Sequence, residues 1–251
     1  MILPADRRDD RFPAARILAW TLGSLVLLLL WDASGLDLPL ARLFGTPAGF
    51  ALHDNWFLTQ VVHEGGKRAS WIALALLFVA IRWPVGPLRR LRLAERVQLA
   101  LSVVVSVVVV SLIKTTSHTS CPWDLQDFGG VAHHVSHWAW GVRDGGPGRC
   151  FPGGHASAAF AYMGGYFALR RAAPRAALAW LAGAMALGFV FGWAQQMRGA
   201  HYMSHTLWTA WICWTVGWAV DGVARAVAAR RGRNGPAPIA RRVQGTSLNE
   251  S

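Results

Sequence analysis

Apolar and polar positions fall in long blocks along this chain. Six apolar runs, Ile17–Ser34, Ala69–Trp83, Val97–Thr115, His155–Leu169, Ala176–Ala194 and His205–Val227, are separated by segments rich in arginine, glycine, proline and histidine. Each approaches the ~20 residues that an α-helix needs to cross the hydrocarbon core of a bilayer. The second and fourth are short as bare apolar runs and must extend into their flanks. The third is crowded with valine and would suit a buried strand, but its length favours a helix, whose backbone groups are satisfied within one segment. The pattern therefore predicts an all-α fold, a polytopic membrane bundle of six transmembrane helices. One membrane domain over 17–227 would lie between a cytoplasmic N-terminal tail, 1–16, and a disordered basic tail, 228–251, without internal repeats.

Composition supports this picture. Only 15% of the 251 residues are charged, against about a quarter in soluble domains, and 14 are tryptophan, a residue gathered at bilayer interfaces. The net charge of +12 would suit nucleic acid, but the basic residues are interspersed between apolar runs instead of forming one face. No nucleic-acid partner is expected. Arg7, Arg8, Arg11 and Arg16 before the first run imitate a signal peptide, yet that run is long and Asp32-Ala-Ser-Gly is a poor cleavage site, so it reads as a retained span.

Arginine placement sets an orientation. The N-terminal tail, the loop between runs two and three, the loop between runs four and five and the C-terminal end hold 18 of the 25 Lys and Arg residues. All four lie on one side of a six-span arrangement, the cytoplasmic side by the positive-inside rule. Segments 35–68, 116–154 and 195–204 then face outward, and Phe50, Trp56 and Phe57 in the first suit a short interfacial helix.

The outward segments carry the candidate chemistry. Lys114 closes the third run, Cys121-Pro-Trp-Asp124 follows, Arg149-Cys150-Phe-Pro152-Gly153-Gly154-His155 opens the fourth, and Arg198-Gly-Ala-His201-Tyr-Met-Ser-His205 opens the sixth. Taken alone, Lys114 is equally a snorkelling lysine or an anion-binding cation. Two glycines before a helix start free backbone N–H groups for an anion, and Arg149 lies just upstream. Arg198, His201 and His205 share a face if that stretch is helical. The same histidine spacing suits zinc or haem, with His118, His133, His134 and His137 as further ligands, so a metal protein is a competing reading. Three cations in the inner cluster oppose it.

Lys114 with Cys121-Pro122, then Pro152-x-Gly-His155, then His201-Tyr-x-Ser resembles the three-part signature of the PAP2 (type 2 phosphatidic acid phosphatase) superfamily, over about residues 97–227. The resemblance implies an integral-membrane phosphatase with a helical core like that of the related haloperoxidases, needing no metal or other cofactor. By resemblance His201 is the nucleophile that forms a phosphohistidine, and His155 is the acid for the leaving alcohol. Lys114 and the N–H groups of Gly153 and Gly154 would bind phosphate oxygens.

Four positions depart from the signature. Cys121 and Gln195 stand where the family has arginines, His205 stands for the acid that orients the nucleophile, and Gly153 replaces a serine. Arg149 and Arg198 are candidates to restore the charge. Asp124 or Asp127 could supply the orienting carboxylate, or His205 could act as a neutral acceptor. An oxidising outer compartment favours a Cys121–Cys150 disulfide over two free thiols, with Cys213 free inside the last span. Asp221 is expected to pair with Arg225 one turn on.

The expected function is hydrolysis of a phosphomonoester or pyrophosphate on a lipid, at the periplasmic face of a bacterial inner membrane, with both termini cytoplasmic. The expected partners are the lipid phosphate and the bilayer. An inactive lipid-phosphate binder and a histidine-ligated metal or haem protein remain as alternatives, and oligomeric state is not legible.

Overall fold

A computed structural model of the chain describes residues 14–233. Helices dominate: α1 (Ala14–Ser34), α2 (Asp37–Ala41), α3 (Gly66–Arg82), α4 (Leu93–Thr116), α5 (Ser157–Phe160), α6 (Gly164–Leu169), α7 (Pro174–Met197) and α8 (Met203–Arg233). A π-helical stretch, Phe57–Gly65, runs directly into α3, and a single 3-10 turn joins α5 to α6. The only sheet among the described residues is a two-stranded hairpin, β1 (Gly45–Thr46) and β2 (Gly49–Phe50).

Four helical segments are long and apolar enough to cross a membrane: Ala14–Ser34, Phe57–Arg90, Leu93–Thr116 and Pro174–Met197. They mark a membrane protein. Their outward faces carry large exposed apolar side chains, among them Trp20, Leu27, Trp71, Leu76, Leu112 and Val190. The other two expected spans differ from these for a physical reason. The α5–α6 segment is short and almost wholly buried, and α8 carries His205, Asp221 and Arg225 within its length. Helices shielded by their neighbours need less apolar surface than helices facing lipid.

The long helix α8 packs against α1, α4, α6 and α7, and so forms the axis of the bundle. Contact with α6 is backbone to backbone: a Cβ on Gly217 would lie 2.9 Å from the Cα of Gly164. Small residues permit this approach, the usual device of helix packing in lipid. Phe160, Met163, Phe167, Leu169, Leu99 and Val103 fill the core beside it.

One end of the bundle is tied by charge. Asp221 accepts from Arg170 Nη2 at 3.0 Å and Gln98 Nε2 at 3.1 Å, and Arg225 Nε and Arg171 Nη1 lie 3.1 and 3.7 Å from its oxygens. The expected Asp221–Arg225 pair is thus one contact in a cluster joining α4, α8 and the turn after α6. At the opposite end, Ala41, Phe50, Leu125, Phe128, Ala132 and Tyr202 form a small separate core under the loops.

Two expectations need correction here. Phe50 does not join an interfacial helix; it sits in β2, 7% exposed, with its ring 4.7 Å from that of Phe128. Trp56 and Phe57 do remain exposed, at the start of the π-helical stretch. The helix α8 runs on to Arg233, past the boundary expected at 227. The remaining tail, 234–251, and the first residues, 1–13, lie outside the described residues.

Candidate active site

At the end away from Asp221, three separate chain segments are stitched together by backbone hydrogen bonds. Trp123 N–H donates to Gly199 O at 3.0 Å, Arg149 and Cys150 N–H to Ser117 and Thr119 O at 2.9 Å each, and Gly153 N–H to His205 O at 3.1 Å. Thr209 Oγ1 also donates to Gly153 O, at 3.1 Å. A disulfide joins Cys121 to Cys150 across 29 positions of sequence. Buried Asp144 braces the same loop, accepting from Ser120 N–H at 2.6 Å and Ser120 Oγ at 2.8 Å. These links hold the first, second and third motifs at fixed mutual positions.

The turn after α7 delivers His201. Gly199 adopts φ +76° and Ala200 N–H returns to Gln195 O at 2.9 Å, closing the helix in a left-handed cap that glycine adopts without strain. A side chain at Gly199 would also collide with the Phe50 ring. His201 follows at once, 6% exposed, before α8 begins.

A cavity of about 390 Å³ opens beside these segments. Lys114, Gly154, His155 and His201 line it, together with Cys121, Trp123 and Gln195. Lys114 belongs to the face of α4 that also presents Val107, Val110 and Ser111 to the cavity, a helical spacing of three and four. The Lys114 ammonium lies over Gly154, where a Cβ would stand 3.3 Å from Nζ. The N–H of Gly154 has no acceptor among the described residues, whereas Ser157 Oγ holds its carbonyl at 2.6 Å. Lysine, a free N–H and two histidines thus share one small space.

The histidines differ in their supports. His155 Nε2 lies 3.3 Å from the carbonyl of Val62, which can only accept, so Nε2 carries the proton and Nδ1 is left for exchange. His201 Nδ1 lies 3.3 Å from His205 Nδ1, and one of the two must donate. If His201 donates, its Nε2 keeps the lone pair a nucleophile needs. Burial, then the nearby charge of Lys114 and His155, holds the His201 imidazole well below the ordinary histidine range.

Several expected site residues lie elsewhere. Gly153 spends its N–H on His205 and cannot offer it to phosphate. Arg149 is exposed, adopts φ 58° and does not line the cavity. Arg198 is buried and does not line the cavity; its Nε donates to His53 O at 2.9 Å and its Nη1 to Gln195 Oε1 at 3.3 Å. Asp124 accepts from Cys121 N–H at 3.1 Å, and burial raises its carboxyl above the usual range. Asp127 pairs with Arg42 at 2.8 Å. Neither carboxylate reaches His201, whose ring partner is His205.

The metal alternative meets a chemical obstacle. Cys150, His201 and His205 converge within 4.8 Å, but the Cys150 sulfur is tied in the disulfide and is no thiolate. The remaining loop histidines are splayed. His137 stacks on Phe151 with centroids 4.2 Å apart and lies 3.3 Å from Asp32, His134 meets the edge of Tyr202, and His118 lines a different groove.

The model of the PAP2 superfamily matches residues 95–226, more than half of the chain. The chain belongs to the PAP2 superfamily. No curated protein and no solved structure matches it. PAP2 membership supports a phosphatase-like function, and the matched segment contains Lys114, His155 and His201.

Sequence reasoning missed one wall of the cavity altogether. His63, Lys67, Ser70 and Trp71 line it from the π-helical stretch and α3, which lie before the matched segment. The His63 ring packs 4.3 Å from that of His155 and its Nδ1 lies 3.2 Å from Glu64. The signal was present: Lys67 stands at the end of an apolar run just as Lys114 does.

Proposed function

We propose that this PAP2 member hydrolyses a phosphomonoester or pyrophosphate carried by a lipid, through a phosphohistidine. The observation that carries the reading is the shared cavity of Lys114, Gly154, His155 and His201. His201 Nε2 attacks phosphorus while the bond to the leaving oxygen breaks and His155 gives that oxygen its proton. His155, now neutral, takes a proton from water, which attacks the phosphohistidine and releases phosphate. Lys114 and the Gly154 N–H neutralise the charge on the equatorial oxygens, where fixed donors lower a phosphoryl-transfer barrier most.

The site would face the periplasm of a bacterial inner membrane within six spans, with both termini cytoplasmic. The reasons are the 18 basic residues on the other side and the Asp221 cluster at the opposite end of the bundle. A site at helix ends beside lipid-facing surfaces lets a headgroup enter while its chains stay in the bilayer. A second reading, phosphate binding without turnover, is favoured by one observation: Cys121 and Gln195 bring no charge to the cavity wall.

Phosphate release by the purified full chain from phosphatidic acid, phosphatidylglycerol phosphate, an isoprenyl pyrophosphate and lipid A, with EDTA present, tests both. Release that survives EDTA and is lost in His201→Ala supports the hydrolase. Binding of these lipids with no release from any supports the second reading.

A further inference from the structure

The cavity lacks charge where its family places it, and the deficit has a physical consequence. A phosphomonoester carries up to two negative charges above its second pKa of about 6. Lys114 alone leaves one of them unmatched in a partly enclosed site, where an unpaired charge is costly. Neither Arg149 nor Arg198, the arginines nearest in sequence, lines the cavity, and Arg198 Nε is held by His53 O.

One other cation lines the cavity. Lys67 projects from the first turn of α3, and His63, Lys67, Ser70 and Trp71, at spacings of four, three and one, present one helical face to the space. No carboxylate of the described residues lies within ion-pairing distance of its ammonium, since nearby Glu64 is engaged by His63. The cavity lining therefore includes two lysines, Lys114 from α4 and Lys67 from α3, with His155 and His201.

We propose that Lys67 is the second phosphate-binding cation of this site, taking over the electrostatic role of the arginines replaced by Cys121 and Gln195. The assignment deepens the phosphatase reading above and rests on it for the substrate, but not for its test. Lys67 lies outside the family-matched segment, so the charge lost from the motifs is supplied by a different helix.

The test uses the full chain in detergent, with inorganic phosphate as the probe. Its affinity is measured by titration calorimetry for the unaltered chain, Lys67→Met, Lys67→Arg and Arg149→Gln, with melting temperatures as a check on folding. Lys67 is exposed, so its variants should fold. Lys67→Met should weaken phosphate binding by about 10- to 100-fold, the span of one charge-assisted contact, while Lys67→Arg and Arg149→Gln stay close to the unaltered chain. In turnover, Lys67→Met should raise KM more than it lowers kcat. Phosphate bound equally well by Lys67→Met overturns the proposal, whether or not turnover is seen. Loss of binding in that variant, with no turnover by the unaltered chain, upholds Lys67 and overturns the hydrolase. If the unaltered chain binds phosphate too weakly to measure, an unchanged KM in Lys67→Met, or no turnover at all, overturns the assignment.

Discussion

His201, just before α8, and His205, in its first turn, face each other through their Nδ1 atoms at 3.3 Å, both buried. An orienting carboxylate would hold the nucleophile's tautomer and also stabilise the imidazolium-like charge that develops on attack. A neutral histidine can do only the first. Its other nitrogen, His205 Nε2, is buried with no partner among the described residues, so no hydrogen bond on that side opposes the tautomer that turns its lone pair to His201. Replacing His205 by Ala should lower kcat by about 10- to 100-fold with a smaller change in KM, since positioning and not binding is lost. A kcat unchanged in His205→Ala would show that the pair is mere packing.

The pH profile should carry the mark of the proposed nucleophile, buried His201. Burial first, with Lys114 and His155, lowers the pKa of His201, so its attacking form persists below the ordinary value of about 6.5. The acid limb of kcat/KM should therefore fall below that value. Stability has the same sign: the unfolded chain binds a proton more readily than folded His201, so stability is lost as pH falls below the unfolded value. An acid limb at or above 6.5 would contradict this.

The Asp221 cluster makes a prediction at the other end of the bundle. Asp221→Ala removes the buried carboxylate that Arg170, Arg171 and Arg225 share and should cost about 3–5 kcal/mol, read as a large drop in melting temperature. Because the cluster lies far from the cavity, KM of whatever protein remains folded should not change. A changed KM with an unchanged melting temperature would refute this division.

The Cys121–Cys150 bridge closes the loop that joins the first two motifs. In the chain-entropy model a loop of 29 residues is worth about 3.6 kcal/mol, and the bridge also lies against Ala200 and His201. Reduction should lower the melting temperature and reduce activity together. Mass measurement without reductant should find only Cys213 alkylated after unfolding.

Much of this was legible before the fold was. The apolar runs placed the starts of α1, α4, α7 and α8 to within a few residues, because burial in lipid demands long uninterrupted segments. Lys114, His155 and His201 stood at run ends, where a site at a bundle mouth must be. What could not be read was direction. Arg149 and Arg198 are close to the motifs in sequence, yet a positive-φ turn exposes one and the His53 carbonyl captures the other. Gly153 lost its expected role to a single backbone bond, its N–H donated to His205 O. Lys67 was passed over because motif spacing says nothing of a helix that arrives from outside the motifs.

The carbonyl of Val62 extends that last point. It comes from the π-helical stretch, ahead of the matched segment, and it fixes the protonated nitrogen of His155. A chain trimmed to residues 95–226 would keep every motif histidine and still lose the hydrogen-bond partner of one and the wall that carries Lys67. The motifs and the π-helical stretch and α3 before them form one unit: transplanting the three motifs onto another bundle would transfer the lettering of the site without the geometry of its cavity.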